Sequence, residues 1–401
     1  MASSPQRREL IMERLTGAIQ DYAWGSTTAI PAILGLEPDG QPQAELWLGA
    51  HPTAPSLVDG RPLPELISDD PTILGTASVD AFGPRLSYLM KILAAEQALS
   101  LQAHPSRADA EEGFAREDAA GIARDAKNRN YVDDWPKPEA LCALEDFDAL
   151  YGFADPTVTA RLFTRLGIPA VDQLVAPLTG VGGADGIKQV FVACCELPTE
   201  QRTLVDEVVV AALPHVSDDD AYGTFCLTAI ELAAVYPRDP GVLAALLMNR
   251  VRLREHEAIF LPAGNMHAYL RGTGVEIMAN SNNVLRGGLT PKHVDVAELS
   301  RLVDFAPVDP PILTAVEDAP GSWRYDTPAP EFALWRLELD GELTVPGTER
   351  GRIVLVTEGS ALCGNIDLNA GQSGWLPAGE GAALIGEGRI FVGATGLPRL
   401  P

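Results

Sequence analysis

Three short segments of this 401-residue sequence hold residue types at spacings that could do chemistry. In Ser100-Leu101-Gln102-Ala103-His104-Pro105, Gln102 and His104 are two apart, so on a strand they face the same way. They would offer an amide oxygen and an imidazole nitrogen side by side, half of a metal site, although a lone His-Pro dipeptide is more often structural. In Trp135-Pro136-Lys137-Pro138-Glu139 two prolines stiffen an extended chain and present Lys137 and Glu139 on one face. A solvated turn with an incidental ion pair is the competing reading. The third segment covers residues 262–292, where His267 and Tyr269 are two apart, Glu276 follows a Gly-Thr-Gly turn, and Arg286 lies between Asn282-Asn283 and Gly287-Gly288. That density of small and amide residues around an arginine exceeds what a connection needs, though it is also ordinary turn material. Together Gln102, His104, Glu139 and His267 form an N2O2 donor set suited to zinc with room for water or substrate. Spacing alone does not assemble them.

The elements that must position these groups read as follows. Residues 15–103 are short apolar runs cut by Gly, Pro and Asp, the texture of short strands and tight turns, and residues 132–150 resume it. Between them, residues 106–126 are polar and alanine-rich, a helical excursion with Ser106 as N-cap. From 155 to 250 the character changes. Asp155-Pro156 and Asp239-Pro240 are helix-start signals, and Val158, Leu162, Phe163 and Leu166 follow the first at helical spacing. After His256 the strand texture returns, with Ala333, Trp335, Leu337 and Leu339 alternating. Short strands with frequent turns point to jelly-roll or barrel packing, not a doubly wound parallel sheet. One internal echo stands out: Phe260-Leu261-Pro262-Ala263-Gly264-Asn265-Met266-His267 resembles Trp375-Leu376-Pro377-Ala378-Gly379-Glu380-Gly381-Ala382. It is either chance or a duplicated strand-turn unit. If duplicated, the second copy has Ala382 in place of His267 and is structural.

Composition narrows the function classes. Thirty Lys+Arg against 55 Asp+Glu leave a formal charge of −25, which excludes nucleic acid and anionic membrane surfaces as partners. The N-terminal text has early arginines but no apolar run of signal-peptide length, and no stretch reaches a membrane span, so a cytoplasmic protein is expected. Cys142, Cys194, Cys195, Cys226 and Cys363 form no CxxC pair and read as buried free thiols, so a metal here must use His, carboxylate or amide ligands.

The motifs resemble those of the type I mannose-6-phosphate isomerases of the cupin superfamily. Ile19-Gln20-Asp21-Tyr22-Ala23-Trp24-Gly25-Ser26 looks like that family's opening motif and AELWLGAHP, from Ala44, its second; SLQAHP, KPE, LPAGNMHAYL and VLRGGLTPK follow in the family's order. The resemblance implies a mainly β fold of two cupin-type jelly-roll barrels plus an α-helical domain. The catalytic cupin domain would span 1–150 and 251–310, the helical insertion 151–250, and a metal-free cupin-like domain 311–401. It also implies one Zn2+ per chain on Gln102, His104, Glu139 and His267, Arg286 as the catalytic arginine, and a pocket lined by Trp24, Lys91, Ser100, Lys137, Tyr269, Glu276 and Lys292. Two departures stand out. The family usually reads Asn-His-Lys-Pro-Glu where this chain has Trp135-Pro136-Lys137-Pro138-Glu139, and Ser-Asp-Asn where it has Ser281-Asn282-Asn283.

The expected reaction interconverts mannose 6-phosphate and fructose 6-phosphate through a cis-enediol, within carbohydrate metabolism and GDP-mannose supply. In it zinc polarises the sugar oxygens and Arg286 stabilises the enediolate. Glu276 is the first choice of base, with His293 or a metal-bound water as alternatives, and Lys137, Lys91 and Lys292 are candidates for the phosphate. The competing readings are a cupin metal dioxygenase and a sugar-phosphate sensor without turnover. A monomer is expected. Lys91, Lys137, Arg286, Lys292 and a divalent metal inside an acidic shell would admit a small phosphate while repelling larger polyanions.

Overall fold

The computed structural model describes residues 12–397, so the first eleven residues of the N-terminal text lie outside it. Strands dominate, and the longest run of helices falls between residues 156 and 245. Among the described residues the strands form an 11-stranded and a 10-stranded sheet, and their ladders are antiparallel. No helix of the described residues is long and apolar enough to cross a membrane.

The helical excursion is realised as Arg107–Ala119, with the Ser106 hydroxyl accepting the Asp109 amide hydrogen at 3.2 Å as its cap. Residues 15–103, read as strands and turns, also hold the short helices Leu63–Asp69 and Thr76–Phe82. The first begins with proline inside its first turn and buries Leu63 and Ile67, an i, i+4 pair that a turn-rich reading overlooks.

Asp155 caps helix Pro156–Thr164 by accepting from Val158 N at 2.9 Å. Phe163 of that helix is buried, whereas Val158 is exposed. The helices leave the sheet after strand Phe147–Phe153 and return through strand Met248–Leu253, and these two strands pair with each other. The helical run is therefore a loop inserted between ladder neighbours. The helices close onto the sheet through an apolar cluster in which Phe153, Phe191 and Phe305 meet with ring centroids 5.2 to 5.7 Å apart.

One strand organises the site. His267–Ala279 pairs through its first half with Leu101–Ala103 and Phe147–Phe153, and through its second half with Tyr88–Ala95 and Glu139–Ala143. Between the halves the register slips by one residue after Tyr269, and Gly272 takes φ 127°, where a Cβ would lie 2.7 Å from the Phe147 ring. The slip exchanges the faces of odd and even positions. His267 and Tyr269 before it, and Glu276 and Met278 after it, consequently line one cavity.

Candidate active site

That cavity, of about 360 Å³, is lined by Trp24, Lys91, Ser100, Gln102, Lys137, Glu139, His267, Tyr269, Glu276, Arg286 and Lys292. His104, the remaining site residue expected from sequence, sits against it, 1% exposed, with its Nε2 3.3 Å from Glu139 Oε1. Ladder register explains much of this convergence. Gln102 stands opposite Arg286 on one side and His267 on the other, so an arginine, an amide and an imidazole form one cross-strand row. On the other half, Lys91 stands between Trp47 and Glu276, and Glu139 opposite Met278.

His104, Glu139 and His267 place their ligand atoms within 4.8 Å of one another. His104 Nδ1 lies 2.8 Å from the Asn283 carbonyl and His267 Nδ1 3.1 Å from the Asn265 carbonyl, so each Nδ1 donates its hydrogen and each Nε2 keeps its lone pair. Among the described residues the buried His104 Nε2 has no hydrogen-bond partner. Burial pushes His104 down to about 4, against the pull of Glu139, which keeps its ring neutral at pH 7. Burial works against the charge on Glu139, but His104 and Lys137 hold its carboxyl well below the usual range. The two Nε2 atoms lie 3.3 and 3.4 Å from the Glu139 oxygens. That is about the edge of a tetrahedron whose donors stand ~2.0–2.1 Å from a central zinc-sized ion. Gln102 donates from Nε2 to Ser100 Oγ at 3.3 Å, which leaves its Oε1 for the site. The donor set thus fits a divalent cation.

Beside it lies a second charged cluster. The Lys91 ammonium is 2.7 Å from Glu276 and 3.3 Å from Glu45, and Tyr269 Oη donates to Glu276 at 3.0 Å. Burial disfavours the Lys91 charge, but Glu276 and Glu45 outweigh it and raise its pKa. Burial raises Glu276, helped by the like charges of Glu139 and Glu45 and opposed by Lys91, whose ammonium it shares with Glu45. Burial and Glu276 together raise Tyr269 well above the ordinary phenol value, so it stays a donor.

Arg286 and Lys292 behave differently. Among the described residues neither side chain has a carboxylate partner; burial lowers the pKa of Arg286, and Arg286 in turn lowers that of Lys292. Two cations that repel each other at the mouth of a cavity can receive an anion. Lys137 lies 3.1 Å from Glu139 and Lys91 is taken by two carboxylates, so of the three candidate lysines Lys292 is the one without such a partner.

Sequence reasoning missed Glu45, Trp47 and His51 and read Asn282 only as a departure from the family pattern; all four line the cavity. Trp47 donates from Nε1 to Glu45 at 2.6 Å. The period-2 spacing of Glu45 and Trp47 inside AELWLGAHP was the available signal. His293, the alternative base, is exposed and does not line the cavity.

The model of the phosphomannose isomerase type I catalytic domain matches residues 12–155. The chain is 35% identical to the mannose-6-phosphate isomerase of Escherichia coli (strain K12) over 392 residues, 94% of this chain and 98% of that protein. It is 29% identical to the Homo sapiens mannose-6-phosphate isomerase, over 92% of this chain and 94% of that protein. A solved mannose 6-phosphate isomerase bound with zinc and yttrium superposes with a TM-score of 0.87 at 33% identity, covering 96% of this chain and 99% of that one. The apo form from Salmonella typhimurium does so with the same TM-score and identity.

Proposed function

Since the chain belongs to the type I phosphomannose isomerases, we propose that it is a zinc-dependent aldose-ketose isomerase interconverting mannose 6-phosphate and fructose 6-phosphate. The observation that carries this reading is the buried His104, Glu139 and His267 cluster opening on the same cavity as Arg286 and Lys292, which have no carboxylate partner among the described residues. Gln102, His104, Glu139 and His267 would hold the zinc. Zinc, when bound, supplies a Lewis acid for the carbonyl and hydroxyl oxygens at C1 and C2.

The chain's own residues do the rest. Lys292 and Arg286 bind the phosphate end, and Arg286, nearer the metal ligands in its cross-strand row, also stabilises the negative charge of the enediolate. Glu276 takes the proton from C2 of the open-chain aldose and returns it to C1, while the proton of the C2 hydroxyl passes to the C1 oxygen. The cis-enediol thereby becomes the ketose. A carboxyl raised by burial, with Lys91 beside it and Tyr269 donating to it, suits a base that must give its proton back. Lys137 keeps Glu139 ionised. Trp24 and Ser100 shape the wall of the cavity. The same cavity would exclude bulk water around the proton in transit.

A coupled assay converting fructose 6-phosphate to mannose 6-phosphate, with and without chelator, tests the reading. Chelator-sensitive conversion without oxygen uptake is expected; binding without conversion would make the protein a sensor, and oxygen consumption would make it an oxygenase.

A further inference from the structure

The two departures from the family pattern meet in space. Asn283 Nδ2 donates to the carbonyls of Asp133 and Trp135, both at 2.8 Å, and Ser281 Oγ donates to Asp133 at 2.7 Å. Segments 133–135 and 281–283 are therefore sewn together, and of their residues Ser281 and Asn282 line the cavity. Asn282 has a different partner, His51, which is 2% exposed and packs edge-on against Trp47 at 4.5 Å. His51 Nε2 lies 3.0 Å from Asn282 Oδ1.

The hydrogen-bond inventory fixes the direction of this pair. The Thr53 backbone amide, which can only donate, points at His51 Nδ1 from 3.3 Å, and the Thr53 hydroxyl lies 3.0 Å from the same atom. Nδ1 must therefore be the acceptor, so the ring hydrogen is on Nε2 and donates to the oxygen of Asn282. The amide of Asn282 then cannot turn over. Its backbone N–H is held by Asp133 at 2.9 Å, and its NH2 group, which has no partner among the described residues, is left at the cavity wall. Burial lowers the pKa of His51, whose charged neighbours are Lys91, Asp133 and Lys137, so the ring stays neutral at pH 7.

We propose that Asn282 is a substrate-contacting residue that presents two amide hydrogens to an oxygen of the sugar phosphate, and that His51 is the positioning residue that fixes its direction. Where the family pattern reads an aspartate, this chain has a neutral amide. The inference rests on the isomerase reading for the identity of the sugar phosphate.

The test is steady-state kinetics of the zinc-loaded enzyme with mannose 6-phosphate, beside isothermal titration of the same ligand. Asn282→Ala is expected to raise KM about ten-fold with kcat within about two-fold, as for loss of one ground-state hydrogen bond. Asn282→Asp is expected to raise KM similarly. It should also add an ionisation to the pH profile of kcat/KM, because a carboxylate beside Nε2 raises the His51 pKa and the ring then protonates as pH falls. His51→Gln is expected to raise KM in the wild-type background and to have no further effect on Asn282→Ala, a coupling that a purely structural histidine would not show. An unchanged KM in Asn282→Ala, or equal effects of His51→Gln in both backgrounds, overturns the proposal. If His51→Gln does not fold, the two Asn282 variants still decide it. If the wild type binds mannose 6-phosphate without converting it, the isomerase reading falls, and the Kd values of the same variants judge the contact separately.

Discussion

The strand-turn units at residues 258–267 and 373–382 share a backbone and differ in their chemistry. In each, a strand ends in Leu-Pro-Ala-Gly, and the glycine adopts a left-handed φ, 76° at Gly264 and 86° at Gly379. The residue paired across the ladder with the first leucine, Leu261, is Glu139, and the residue paired with Leu376 is Arg352. Three residues past the glycine stand His267 in the first unit and Ala382 in the second. The first unit thus points a carboxylate and an imidazole at one place. The second points a guanidinium into its turn, where it donates to the Pro377 carbonyl at 3.1 Å and to the Glu380 carbonyl. One backbone device either builds a cation site or ties its own loop, and two side chains decide which.

Making the first unit resemble the second should have the largest effect. His267→Ala removes a donor from the metal cluster and leaves Glu139 with one imidazole fewer. We expect zinc content to fall well below one per chain and activity to drop on the order of 10³-fold. Elemental analysis alongside the coupled assay reads both, and full activity with full zinc would remove His267 from the ligand set. The next effect keeps the metal and breaks the proton path. Glu276→Gln should retain zinc and lose about 10²-fold or more in kcat. The wild-type carboxyl is raised above the ordinary glutamate value, so its protonated, inactive form persists to higher pH and kcat should fall as pH drops through that raised value. The acid limb should vanish in Glu276→Gln. Near-normal turnover in that variant would assign the base elsewhere.

The amount of this site that sequence could reveal follows from the range of the interactions. Gln102 with His104, and His267 with Tyr269, are local period-2 pairs and were readable as shared faces. Ser106 and Asp155 announced their helices by local signals, a cap joined to alanine-rich text in one case and to proline and helical spacing in the other. Not readable was the register slip after Tyr269 that turns the even-numbered Glu276 onto the face of the odd-numbered His267, since a slip is set by the partner strand Phe147–Phe153. The union of the chain's start with its end was equally hidden. Strand Glu13–Thr16 pairs with Ser373–Leu376, across more than three hundred residues. His51 stayed silent for the same reason: its hydrogen bond is to Asn282, far along the chain, and its proton position follows from the Thr53 contact.

The smallest expected effect tests whether the backbone unit has any metal affinity of its own. Ala382→His gives the second unit the imidazole it lacks. Ala382 is 4% exposed, so the larger side chain should cost about 1–3 kcal/mol of stability by overpacking, read as a lowered Tm. Zinc should stay at one per chain and isomerase activity should be unchanged. The reason is Arg352: it is fully buried, and burial pushes it down only to about 10, so it remains a cation at pH 7. An imidazole there would share its turn with a buried guanidinium in the place that Glu139 holds in the first unit, and that positive charge, which already draws on Glu349 and Glu380, repels a second. A second equivalent of zinc in Ala382→His would show that the turn itself, and not the residue opposite its leucine, selects the ion.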